Sequence, residues 1–105
     1  MVGDPVTENE IRDFVDVVLK YAGYEGPVTV DFDPRFSGVG IDARTQFTDP
    51  PIITFARDLT AEEYMVSAIH EVAHLVAYDD THEHRFQEQF RQLTSPEALA
   101  KMGAA

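Results

Sequence analysis

The stretch that decides the reading is His70-Glu71-Val72-Ala73-His74-Leu75-Val76-Ala77-Tyr78-Asp79-Asp80-Thr81-His82. Its first five residues have the form H-E-x-x-H. On a helix, residues four apart lie about 40° apart around the axis and one turn along it, so His70 and His74 can reach one metal ion. Glu71 then projects beside that ion, where a carboxylate can take a proton from a bound water. Outside a metal site, the same letters describe an amphipathic helix with two part-exposed histidines and a solvated glutamate. Context favours the metal: the motif lies inside a helix that has a start signal and an apolar face, with a strand pattern before it.

The chain has no cysteine, so it has no disulfide framework and no thiolate ligand, and any metal must be held by His, Asp or Glu. Structural zinc sites are usually closed by four protein ligands, often cysteines, so three ligands plus water is the easier count here. All four histidines fall between residues 70 and 84. Were one helix to continue from His74 to His82, the two would stand about 12 Å apart along its axis, too far to share an ion. A turn at Asp79-Asp80-Thr81 solves this. Asp80 and Glu83 have capping-box spacing, which predicts a new helix starting near His82, with His82, Phe86, Phe90 and Leu93 on one face. His84 lies about 200° around from His82 and is expected to point away. His82 is the favoured third ligand, with Asp80 next and His84 or another carboxylate still open.

Working outward, Thr60 and Glu63 form a capping box that opens the motif's helix, which is expected to run to about Tyr78 with Met65, Ile69, Val72 and Val76 facing the core. Thr7 and Glu10 have the same spacing. They open a first helix on which Ile11, Phe14, Val15, Val18 and Leu19 recur at helical period, until Gly23 offers a left-handed stop. Val28, Val30 and Phe32 alternate with polar residues up to Pro34, a half-buried strand. Between Phe36 and Phe47, Val39, Ile41 and Ala43 alternate weakly enough to allow a second strand. Ile52 to Phe55, after Asp49-Pro50-Pro51, reads as a third. Ser95-Pro96 ends the penultimate helix, and a short tail from Glu97 to Met102 frays into the terminus. The expected class is α+β: an N-terminal helix, a small sheet of about three strands, the H-E-x-x-H helix and a C-terminal helix.

Composition bounds the rest. With 105 residues, a single domain spanning 1–105 is expected, burying roughly two-thirds of the surface its unfolded chain exposes. Asp and Glu number 19 against 8 Lys and Arg, a net charge of −11. That charge repels phosphate backbones, so no nucleic acid is expected as a partner, whereas a basic protein surface fits the sign. No apolar run reaches the roughly 18–20 residues of a membrane helix, and MVGDPVTENE lacks the pattern of a signal peptide. No membrane association and a cytoplasmic location are expected.

The residues also carry a family resemblance. HEVAHLVAYDDTHEHRF (residues 70–86), followed by Phe90, Leu93 and Pro96-Glu97-Ala98-Leu99, resembles the small zincin-type metallohydrolases of actinobacteria and their phages, and more distantly the SprT-like zinc metallopeptidases. The match spans roughly residues 52–102; the first half of the chain agrees only in its helix-then-strands order. The resemblance implies a minimal zincin-like fold, one Zn²⁺ per chain held by His70, His74 and His82, Glu71 as the catalytic carboxylate, and a peptide or protein substrate. By the same analogy, Ile52–Phe55 is the expected edge strand for an extended peptide, and Tyr78, His84 and Arg85 lie near enough in sequence to stabilise an oxyanion. The pattern is broken at Glu83, where glycine is usual. The basic extensions of larger SprT-like proteins are missing, so DNA-linked proteolysis is not implied.

Two other patterns overlap these residues. Zincins with an aspartate third ligand place Asp six residues after the second His, where Asp80 stands, but want Gly at the position of Ala77. Metal-dependent endoribonucleases related to YbeY have Gly in place of Glu71 and His in place of Asp80, and the acidic charge also stands against them. A rival of another class is a non-enzymatic acidic protein that keeps the scaffold and occupies a basic site on a partner. The intact Glu71 argues against it, since binding alone has no need of a base.

Overall fold

Thr7 starts the first element as its sequence predicts. Its side chain accepts from the Glu10 N–H at 3.2 Å, and helix α1 (Glu8–Ala22) runs to Gly23, left-handed at φ 75°. This computed structural model describes residues 6–104; residues 1–5, on which part of the leader-segment reading falls, lie outside the described residues. Ile11, Phe14, Val15, Val18 and Leu19 are all buried, forming the apolar stripe read from their spacing. Burying each such side chain contributes roughly 1.5–3 kcal/mol.

Strand β1 (Thr29–Phe32) follows. The next segment corrects the sequence reading: residues 35–38 form a helical turn, α2 (Arg35–Gly38), and Val39 and Ile41 are exposed rather than in a strand. The cause is local. Pro34 sits at φ −64°, ready for a helical turn, and the Asp33 carboxylate accepts from the Arg35 N–H at 2.9 Å and from its guanidinium at 2.8 Å. That ion pair holds the Asp33 carboxyl below its ordinary range. The second strand, β2 (Ala43–Gln46), begins at Ala43, the last residue of the weak alternation.

Strand β3 (Ile52–Phe55) has the bounds read from sequence but not the place. The order is β1-β3-β2, so β3 is central, parallel to β1 and antiparallel to β2. The expectation that Ile52–Phe55 offers a free edge is therefore wrong: both of its edges are taken, and β2 is the edge strand beside the motif. Sequence order could not show this, because the strand that comes last in the chain fills the middle of the sheet. Register places Val30, Ile53 and Thr45 in one row and Phe32, Phe55 and Ala43 in the next. Ile53 and Phe55 are fully buried and join α1 in the core.

Helix α3 (Ala61–Ala77) carries the complete capping box. Its N-terminal half buries Tyr64, Ala68 and Ile69, and Val72 lies at the centre of the core; Met65 and Val76, expected on the core stripe, are only half-buried. The stripe is rotated because α3 packs against α1, α4 and β2 at once. Helix α4 (His84–Leu93) and helix α5 (Pro96–Met102) complete the chain, with Gly103 capping α5 in the left-handed region at φ 76°. Gly103 and Ala104, expected to fray, instead return bonds to Ala100 and Leu99, while Ala105 lies outside the described residues. Among the described residues the buried apolar side chains form one cluster, and no helix is long and apolar enough to cross a membrane.

Candidate metal centre

The H-E-x-x-H residues lie in the second half of α3, and the chain must double back to bring anything else to them. It does so at Tyr78, a left-handed residue at φ 52° and ψ 49° whose N–H returns to Leu75 while that of Asp79 returns to His74. The positive φ thus falls one residue after Ala77, where the aspartate-ligand pattern wants glycine. Asp79 then fixes the turn: its Oδ1 accepts from the Thr81 N–H at 2.9 Å and the Thr81 hydroxyl at 2.7 Å. The predicted Asp80–Glu83 box does not form, and α4 begins at His84 rather than near His82. His82 accordingly stands in the turn and not on a helix face. Gln87 holds that turn down by donating to the His82 carbonyl at 2.8 Å.

This turn brings three imidazoles together. His70 Nε2 lies 3.1 Å from His82 Nε2 and 3.1 Å from His74 Nε2, and one ring nitrogen from each of the three falls within 4.8 Å of the others. Phe86 is their shared floor. It is buried, stacks on His74 at 4.2 Å between centroids, and lies 4.8 Å from the His70 ring and 5.0 Å from the His82 ring. His74 Nδ1 donates to the Asp79 carbonyl at 2.8 Å, which makes Nε2 the lone-pair nitrogen of the neutral ring. Burial, and then the two neighbouring rings, push the His70 pKa down to about 4, so its lone pair is free at neutral pH.

Glu71 is buried beside the cluster, with Oε2 4.0 Å from His70 Nε2 and Oε1 accepting from the Thr45 hydroxyl at 2.7 Å. Burial pushes its carboxyl up, while the Thr45 bond and the two nearby imidazoles pull the other way. A cleft of about 320 Å³ opens over these groups, with Ala43, Arg44, Thr45 and Phe47 supplying the wall opposite the histidines. The donor set fits zinc: tetrahedral ligands at 2.0–2.1 Å stand about 3.3 Å apart, close to the 3.1 Å of the two pairs that His70 makes, and three imidazoles leave one position open.

No family model and no curated protein matches the chain. Among solved structures it is similar to the "Crystal structure of the metallopeptidase zymogen of Pyrococcus abyssi abylysin". The likeness has a TM-score of 0.66 at 26% identity and covers 88% of this chain and 87% of that one. The fold is zincin-like. The zincin-like fold and the histidine cluster together fit a zinc hydrolase.

Within this zincin-like frame, the structure sorts the residues singled out by sequence. His70, His74, His82 and Glu71 meet at the cleft, while Asp80 lines it without joining the group of three. Tyr78, His84 and Arg85 do not line the cleft. Tyr78 is exposed and meets Phe47 edge-on at 5.3 Å, and His84 faces Glu88 at 3.6 Å. Thr45 was missed by the sequence reading, although Ala43, Thr45 and Phe47 continue the alternation begun by Val39 and Ile41.

Proposed function

We propose that the chain is a zinc-dependent peptidase in which His70, His74 and His82 hold one Zn²⁺ and Glu71 is the catalytic carboxylate. The observation that carries this reading is the convergence of three imidazole nitrogens beside a buried glutamate at an open cleft. Zinc bound there supplies Lewis-acid polarisation of a carbonyl and acidifies a water. Glu71 accepts the proton of the attacking water and passes it to the leaving amine. Asp79 holds the His74 tautomer, and Phe86 stacks on the His74 ring while packing against the other two. Strand β2, paired on one side only, offers its free edge to an extended peptide, a role the sequence had given to β3.

The partner in this reading is a peptide or protein. The net charge of −11 weighs against polyanions and towards substrates with basic or neutral surfaces. Elemental analysis of purified protein is expected to give about one zinc per chain, with His70→Ala or His74→Ala losing it. Glu71→Gln is expected to keep the metal and abolish cleavage of a mixed peptide library read by mass spectrometry. Wild-type protein without a tightly held divalent metal at neutral pH would sink the proposal.

A further inference from the structure

Antiparallel ladders alternate between residues that bond across to the partner strand and residues whose backbone groups point away from it. The Ala56 N–H donates to the Asp42 carbonyl at 2.8 Å, and the register continues Ala43↔Phe55, Arg44↔Thr54, Thr45↔Ile53. Asp42 and Arg44 therefore spend their backbone groups on β3, whereas Ala43 and Thr45 turn theirs to the free edge. Thr45 thus presents its N–H and C=O at the free edge of the strand that walls the cleft. Its side chain reaches the other way, to α3: the hydroxyl stands 2.7 Å from Glu71 Oε1 and 3.2 Å from the Glu71 carbonyl. A hydroxyl has one proton, and the shorter contact has the length of an O–H···O⁻ bond, so the proton goes to the carboxylate. Among the described residues no other hydrogen bond reaches that carboxyl group.

We propose that Thr45 is a positioning residue that couples substrate pairing to the base: the backbone of Thr45 receives the peptide while its hydroxyl holds Glu71 Oε1, turning Oε2 to the histidine centre. The terminal torsion of a glutamate is broad and nearly two-fold, so a lone tether decides which oxygen faces the reaction. The inference rests on the peptidase reading and deepens it. Both contacts belong to one residue, so an extended peptide paired with β2 stiffens the strand that carries the tether.

Thr45→Val keeps the backbone edge and the side-chain volume but removes the proton. It is expected to lower kcat by about 10–100-fold, the usual cost of losing an outer-shell partner, with KM within about twofold. Thr45→Ser is expected to restore kcat, and zinc content is expected to stay at the wild-type value in both. The Co²⁺-loaded protein supplies a readout independent of turnover: its visible spectrum is expected to shift in Thr45→Val in the direction seen for Glu71→Gln, and to return in Thr45→Ser. If Thr45→Val does not fold, Thr45→Ala takes its place in both arms. Wild-type kcat in the variant, a loss confined to KM, failure of serine to rescue, or an unshifted cobalt spectrum each overturns the inference. Zinc-loaded wild-type protein that cleaves no peptide overturns the peptidase reading instead, Glu71→Gln protein with wild-type kcat overturns the role of Glu71, and in either case the substrate-free cobalt spectra still answer for the Thr45 tether.

Discussion

Phe86 packs against three imidazoles and the core at the same time, so its removal is expected to be felt twice. Phe86→Ala empties a buried aromatic site, which costs about 3–5 kcal/mol in denaturant unfolding of the metal-free protein. Phe86→Leu keeps much of the volume and most of that stability but loses the flat surface under His74. Zinc affinity in the leucine variant, measured by chelator competition, is expected to fall about 10–100-fold, as for other groups that orient ligands. Unchanged affinity would mean that the rings are held from elsewhere. Sequence placed Phe86 and His82 on one helix face; the structure keeps their contact but delivers His82 from a turn, since Asp79, not Asp80, spends its carboxylate on the backbone.

At the scale of elements, the helix starts were legible because they are local. Thr7 and Thr60 each reach a backbone N–H three residues ahead, a range over which the chain's own stereochemistry decides the outcome. Thr60→Ala is expected to cost about 1 kcal/mol by chemical denaturation. The partner Glu63 adds a pH dependence: the Thr60 N–H and hydroxyl hold its carboxyl below the ordinary value of 4.5. Its stabilisation is therefore present above that value and lost as pH falls through the lowered pKa. The stability gap between wild type and Glu63→Gln, measured by urea unfolding, is expected to be open at pH 7 and to close as the pH drops below the carboxylate range. Strand order was not legible. Nothing within Ile52–Phe55 distinguishes a central strand paired on both sides from an edge strand, because that depends on where β1 and β2 lie. The short Arg35–Gly38 turn hid for another reason: Asp33 and Pro34 look like the end of a strand until their bonds to Arg35 are seen.

For the molecule as a whole, the charge of −11 is a standing self-repulsion, and added salt is expected to raise the thermal midpoint of the metal-free protein by screening it. Zinc, held as proposed, is expected to act more strongly. At a free concentration 1,000 times its Kd, a ligand of the folded state adds about 4.1 kcal/mol, and a domain of this size gains about 4–8 °C per kcal/mol. A chelator is expected to remove that increment from wild type and to leave His82→Ala unmoved in a melting experiment. An equal chelator effect on both would place the metal away from His82. The sheet order has a further consequence, one of timing. Strands β1 and β2 are neighbours of β3 and not of each other. A nascent chain that ends before Ile52 therefore holds two strands with nothing to join, and the whole sheet closes around four residues that arrive at mid-chain. The wall of the cleft, which β2 supplies, waits for the same event, and the histidines that face it follow later in the chain.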